Sequence, residues 1–393
     1  MLLFADVETT TLNKGHPFNP NNFLVSYALI GNCSRFGYYT EPDFVSVLRE
    51  EMGQATCYIN FACKFDIHWF HRIGLSLPLT CKIWDCQLAE FVLNNQKGAY
   101  GSLNDALATY GLESKSDKVK EYWDAGVSTE KIPVPILKEY NVRDVAQTQA
   151  LYHMQQAVMS EKQKALVYDL GEDLRTLADA EYNGIKWDSH AANKKLETLQ
   201  EKITSINERL VSYLPPISHG SFNWDSGDCV SALLYGGTLS FLYSISEPAV
   251  YKSGPNKGTS YTKNRWFDEV VVFPKRFTPI ENSEVKKTKD NPAAPTRFYQ
   301  TDDPTLAQLK TRSSENKELI RLLRERSKLL KVAEMIESIN KKRTELNWQD
   351  DLLHAQFNQN VAITGRLSSS NPNMQNTPAE IDELLVSRYA DQL

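Results

Sequence analysis

Near its start the chain reads "ADVETTTL", with Asp6 and Glu8 two residues apart behind the apolar run "LLFA". In an extended strand alternate side chains leave the same face, so the two carboxylates point together. Two unneutralised carboxylates at the end of an apolar strand are costly, and a divalent cation between them removes that cost. The pair alone suits a solvent-facing strand end equally well. Two further islands share its character. Asp66 lies in "ACKFDIHWF", among aromatic and apolar residues where a helix begins, while Tyr140 and Asp144 in "LKEYNVRDVAQTQALY" are four apart and share one helix face. Oxygen ligands with no accompanying His or Cys suit Mg²⁺ or Mn²⁺. Two such ions about 4 Å apart can activate a water and stabilise the leaving oxygen of an in-line phosphoryl displacement.

A second group of chemically able residues lies in "TGRLSSSNPNMQNTP", from Thr364 to Pro378. Arg366 is a permanent cation with fork geometry, and Asn373 and Gln375 are amides that both donate and accept. Every base pair offers acceptors at purine N3 and pyrimidine O2 in the minor groove, so such side chains can check pair geometry without reading sequence.

These residues need elements to hold them. The first 155 residues alternate strand and helix signals: "LLFADVE", "NFLVSYALI", "RFGYYT" and "ATCYIN" read as strands, "DCQLAEFVLNN" and "SLNDALATYGL" as helices. Such alternation implies a sheet covered by helices. From Met154 the pattern is largely helical, interrupted at Gly184, with a second helix from about Ser189 to Leu214 stopped by Pro215 and Pro216. Between Glu247 and Pro304 a Lys, Pro and Gly-rich stretch reads as a hairpin or extended excursion, and helix resumes in "PTLAQLK" and "ELIRLLRERSKLLKVAEMIESINKKR". Fewer than four clean heptads make a coiled coil the minor option there.

At 393 residues the chain calls for two or three units. Its six cysteines show no CxxC pair and no His/Cys ligand spacing, which argues against a zinc site and a disulfide framework. "MLLFADVETT" lacks the regions of a signal peptide, and no apolar run is long enough to span a membrane, so the expected location is cytoplasmic. The net charge of -5 hides an uneven distribution. Lys252 to Arg297 holds ten Lys/Arg against five Asp/Glu, and Lys310 to Arg343 eleven against five. This is either a solvated helical face or a phosphate-contacting surface.

Taken together, Asp6, Glu8, Asp66 and Asp144, with Tyr140 four residues before the last, resemble the DEDD exonucleases of the tyrosine subtype, as found in the proofreading domain of family A (DNA polymerase I-like) DNA polymerases. The resemblance implies an RNase H-like fold over residues 1–157 that removes nucleotides from a 3′ end. It also implies two Mg²⁺ or Mn²⁺ ions. Asp6, Glu8 and Asp144 would hold one, Asp6 and Asp66 would share the other, and Tyr140 would orient the attacking water. Thr9 and Leu12 match positions that meet the terminal nucleotide. The family usually has Asn four residues before the second-motif aspartate; here Ala62 stands there, with Asn60 two residues earlier.

The resemblance continues through "LADAEYNGIKWD", "FNWDSGDCVSALLYGG", "RFYQTDDPTLAQLK" and the Thr364–Pro378 stretch, whose Arg366, Asn373 and Gln375 match residues that contact DNA near the primer terminus. Residues 158–393 are thus expected to form a mainly α-helical thumb and the beginning of a palm, with the excursion at about 247–304. The overall class is α/β followed by α. The family's nucleotide-addition motifs do not follow Pro378, and Glu380, Asp382, Glu383 and Asp391 read as a surface helix with no catalysis. The chain therefore resembles the amino-terminal part of a split or truncated phage-type family A polymerase, acting in an infected bacterial host. Its implied partners are DNA primer-template, single-stranded 3′ ends and a second polypeptide carrying palm and fingers, on which Leu384, Leu385 and Val386 would pack. The alternatives are a non-catalytic DNA-binding or assembly subunit and a stand-alone or RNA-trimming DEDD nuclease.

Overall fold

The computed structural model describes residues 1–97, 101–113, 118–218, 221–285 and 298–389. Lys286, Lys287, Lys289 and Arg297 of the basic run, and Asp391 of the tail, lie outside the described residues. The chain divides into two compact units, one of Met1–Asn193 with Met335–Leu393, the other of Lys194–Glu334.

The first unit is built on five strands, β1 (Leu2–Thr9), β2 (Leu24–Ile30), β3 (Ser34–Tyr38), β4 (Cys57–Asn60) and β5 (Lys82–Asp85). Their order is β3-β2-β1-β4-β5, with β2 antiparallel to both β1 and β3, and β4 parallel to both β1 and β5. Helices α1 (Phe44–Gly53), α2 (Cys63–Arg72), α3 (Cys86–Leu93), α4 (Leu103–Thr109), α5 (Lys118–Asp124), α6 (Val134–Val158) and α7 (Glu161–Asn183) surround it. The period of two along β1 divides its side chains between two cores. Leu3, Ala5 and Val7 join Trp69 and Phe70 of α2 and Leu174 of α7, whereas Phe4 joins Ala89 of α3 and Val145 and Leu151 of α6. Asp6 and Glu8 continue the Phe4 row, which directs them to the face covered by α6. Helix α7 ends at Gly184, whose φ of +64 with ψ of −180 is a conformation that glycine alone adopts readily, and β6 (Ile185–Trp187) follows.

Helix α8 (Ser189–Val211) leads into the second unit, which continues with α9 (Gly227–Tyr235) and a hairpin of β7 (Gly237–Val250) and β8 (Ser260–Phe273). The hairpin pairs over its whole length, from Gly237 with Phe273 to Val250 with Ser260, so it starts ten residues before the excursion expected at about 247–304 and covers only the first part of it. After β9 (Glu284–Val285), β10 (Phe298–Tyr299) and α10 (Asp303–Gln308) comes α11 (Ser314–Leu346). Asp302 caps α10 through the Thr305 N–H, and extended backbone at Leu309 separates α10 from α11. The unit's core gathers Leu210, Leu233, Leu234, Phe273, Leu319 and Leu322.

On returning to the first unit the chain forms β11 (Leu352–Leu353), β12 (Gln356–Asn358), β13 (Ser368–Ser370) and β14 (Leu385–Val386). Strands β11 and β14 flank β6, and β12 pairs with β13. This corrects the reading of the tail. Residues Ala379–Leu384 form a 3-10 helix whose Ile381 and Leu384 are fully buried, and Leu385 and Val386 pair with Trp187 and Lys186. The apolar residues recur at a spacing that a surface helix and a buried turn followed by a strand both fit, and the edge of β6 decides between them.

Candidate nuclease centre and primer-contacting segment

The structure brings Asp6, Glu8 and Asp144 together, with one carboxylate oxygen of each within 4.8 Å of the others. β1 supplies the first two from one face, and α6, packed over that face, supplies the third. Tyr140, one turn before Asp144, is 8% exposed and packs edge-on against Trp123, with ring centroids 5.9 Å apart. Burial and then the Glu8, Asp144 and Asp6 carboxylates push its phenol far above the ordinary tyrosine range, so it stays a neutral hydroxyl.

Asp66 stands outside that trio because α2 packs on the opposite face of the sheet. Its Oδ1 accepts from the Val7 N–H at 3.1 Å and its Oδ2 from Asn60 Nδ2 at 2.8 Å. Burial and the Asp6 carboxylate raise its pKa well above the usual carboxylate range, placing it in electrostatic reach of Asp6. The donor set is made only of carboxylates, and it is enclosed: burial foremost, with the neighbouring carboxylates second, raises the pKa of both Asp66 and Tyr140. Both features fit hard divalent cations.

Ala62 begins α2 with left-handed backbone, φ 62 and ψ 51, a conformation that Asn tolerates and Ala does not favour. The turn is held by Asp85, whose carboxylate accepts from the N–H groups of Ala62 (3.2 Å), Cys63 (2.8 Å), Gln87 (2.8 Å) and Leu88 (3.3 Å). One side chain thus joins the starts of α2 and α3.

Thr9 is buried, with Oγ1 donating to the Thr10 carbonyl at 3.1 Å, and Leu12 is half-exposed in the 3-10 turn Leu12–Lys14 that follows β1. Gly15 closes this turn at φ +69, and a Cβ there would lie 2.2 Å from Thr9 Oγ1. Glycine is therefore required beside Thr9.

Arg366, Asn373 and Gln375 are all exposed, on the segments flanking β13. Asn373 Oδ1 accepts from the Gln375 N–H at 3.1 Å, which closes a tight turn around the exposed amide. Part of the positive charge of α11 is already paired with acidic side chains. Arg321 pairs with Glu318 and Glu325, Arg324 with Asp303, and the buried Arg326 with Asp225.

Two sets of polar residues escaped sequence reasoning. Asn141 is fully buried beside Asp6, and its spacing of three from Asp144 on α6 was the available signal. Glu181 is also buried, and accepts from Lys64 Nζ at 2.7 Å, His68 Nε2 at 2.8 Å and the Phe357 N–H at 2.6 Å. These contacts cross more than a hundred residues of sequence, and no local pattern announces them.

Residues 276–390 match the DNA polymerase family A model. Over 331 residues the chain is 26% identical to a DNA polymerase I of Treponema pallidum (strain Nichols), a match covering 84% of this chain and 27% of that protein. Its fold is similar to that of the POL domain of Pol1 from M. smegmatis, solved in complex with DNA primer-template and dNTP. There the TM-score is 0.61 at 16% identity, over 96% of this chain and 52% of that one. The chain thus spans about a quarter of the curated relative and about half of the solved one. Among the described residues no helix is long and apolar enough to cross a membrane.

Proposed function

We propose that residues 1–157 form a DEDD-type, RNase H-like 3′–5′ exonuclease acting on DNA, and that Arg366, Asn373 and Gln375 contact primer-template during DNA synthesis. The observation that carries this reading is the convergence of Asp6, Glu8 and Asp144 within 4.8 Å, with Tyr140 beside them and Asp66 against Asp6. The strand order β3-β2-β1-β4-β5 supports the fold assignment. Asp6, Glu8 and Asp144 would hold one Mg²⁺ or Mn²⁺, and Asp6 and Asp66 a second. When bound, such ions activate the attacking water and offset charge on the departing oxygen.

The chain's own groups do the rest. Tyr140, held neutral, offers a hydroxyl that orients the water for attack on phosphorus. The P–O3′ bond breaks, giving a nucleoside 5′-monophosphate and a new 3′-hydroxyl. Half-exposed Leu12 gives the terminal base an apolar surface, and the Thr9 backbone, fixed by the Gly15 turn, sets its position. The proposal assigns nucleotide addition to no residue between 1 and 393.

Incubating 3′-end-labelled DNA with the chain in Mg²⁺ and identifying the released product tests this. Labelled nucleoside 5′-monophosphate, abolished by EDTA and by Asp144→Ala, is expected. Products carrying a 3′-phosphate, or release that persists in EDTA, would exclude the mechanism.

A further inference from the structure

Asn141 and Ser26 are both fully buried, and neither lies among the acidic residues from which the site was read. The carboxamide of Asn141 spends both donor contacts on one residue: Nδ2 donates to Asp6 Oδ2 at 3.1 Å and to the Asp6 backbone carbonyl at 3.3 Å. Its Oδ1 accepts from Ser26 Oγ at 3.3 Å. Ser26 pairs with Glu8 in the β1–β2 register, so its hydroxyl is on the carboxylate face of the sheet.

We infer that Asn141, anchored at its amide oxygen by Ser26, is a positioning residue that fixes the Asp6 carboxylate for divalent-cation binding. Grasping both the side chain and the main chain of Asp6 removes the carboxylate's rotational freedom. The two Asp6 acceptors set the sense of the amide, and Ser26 anchors its oxygen. Turned over, the carboxamide would place its NH₂ group against the Ser26 hydroxyl and its bare oxygen against two Asp6 acceptors. Because Asn141 and Asp144 lie three apart on α6, the helix that supplies one ligand also aims the other. Partners outside the ligand shell that orient a ligating carboxylate act through the metal's affinity, and losing one typically costs about 10- to 100-fold in affinity or activity.

This inference rests on the exonuclease reading, so its test carries a readout independent of turnover. Mn²⁺ binding to the whole chain without DNA, followed by the loss of the free-ion electron paramagnetic resonance signal, is compared for wild type, Asn141→Leu, Ser26→Ala, the double variant and Asp6→Ala. Asn141→Leu keeps the side-chain size without the donor. Its Mn²⁺ affinity is expected to fall about tenfold, with kcat for nucleotide release falling similarly and the KM for DNA unchanged. Ser26→Ala should cost a few-fold alone and nothing further in the Asn141→Leu background, because the serine acts through the amide. It also carries the test should Asn141→Leu fail to fold. Mn²⁺ affinity of Asn141→Leu within twofold of wild type, while Asp6→Ala abolishes binding, would overturn the inference alone. Equal costs of Ser26→Ala in both backgrounds would overturn the relay. A wild-type chain with no Asp6-dependent Mn²⁺ site would instead refute the nuclease reading, and the inference with it.

Discussion

Replacing Glu181 by Gln preserves shape and removes one charge, which isolates the electrostatics of the buried cluster at the end of α7. In the native chain Glu181 balances Lys64, receives the His68 Nε2–H and the Phe357 N–H, and offers its own carbonyl to His354 Nδ1 at 2.7 Å. Burial works to raise the Glu181 pKa, and the His68, Lys64 and Phe357 contacts outweigh it, leaving the group below the ordinary glutamate range and charged. The Gln variant leaves the Lys64 ammonium on the Phe357 carbonyl without its counter-charge and turns an amide donor toward His68. Breaking a buried ion pair from one side costs about 3–5 kcal/mol. Lys64 keeps 21% of its side chain in solvent, which points to the low end, about 3 kcal/mol. For a unit of this size that corresponds to a Tm lower by roughly 6–12 °C in scanning calorimetry. Lys64→Met with Glu181→Leu, which removes both charges, should recover part of the loss. A Glu181→Gln cost below about 1 kcal/mol would refute the claim that this cluster anchors the returning strand β12 to α2 and α7.

Three further outcomes follow from the same geometry. Burial first, and then the neighbouring His residues, lower the His16 pKa to about 4, and burial foremost lowers that of His354 to about 4. Both are neutral in the folded chain, whereas the unfolded chain takes up protons below pH 6.5. Stability is therefore complete above pH 6.5 and is lost as pH falls toward 4, on the order of 2 kcal/mol for each His by pH 5; urea unfolding at pH 7.5 and 5, with His354→Phe showing a flatter dependence, checks this. Ala62→Asn should stabilise by about 0.5–1 kcal/mol, since Asn tolerates the left-handed backbone that opens α2, and a lower urea midpoint would contradict it. Ile381→Ala should cost about 2–4 kcal/mol because Ile381 is wholly buried, whereas a surface residue would cost less than about 0.5 kcal/mol.

The acidic site was more legible than the rest because its signals are local. The period of two sets Asp6 and Glu8 on one strand face, and the period of 3.6 sets Tyr140 and Asp144 on one helix face; α6 over β1 then joins the two pairs. The hairpin β7–β8 was legible only in part: the turn residues "SGPNKG" mark its tip, but its first strand begins at Gly237, ten residues before the stretch whose composition stands out. Glu181 was not, because its value comes from Lys64 and Phe357, at the two ends of the chain's first unit. Nor was the tail, where only the unpaired edge of β6 turns Leu385 and Val386 into a strand. A count of Lys and Arg also does not show that Arg326 of α11 is buried against Asn207 and Asp225.

The central claim is that the clustered carboxylates hydrolyse DNA from its 3′ end. It is tested most directly by following a 5′-labelled primer, annealed to a longer template, in Mg²⁺ with the wild-type chain and with the Asp6→Ala, Glu8→Ala variant. Stepwise shortening from the 3′ end by the wild type, lost in the variant while primer-template binding persists, is the predicted result. Equal shortening by both proteins, or none by the wild type on paired, mismatched and single-stranded ends alike, would contradict it.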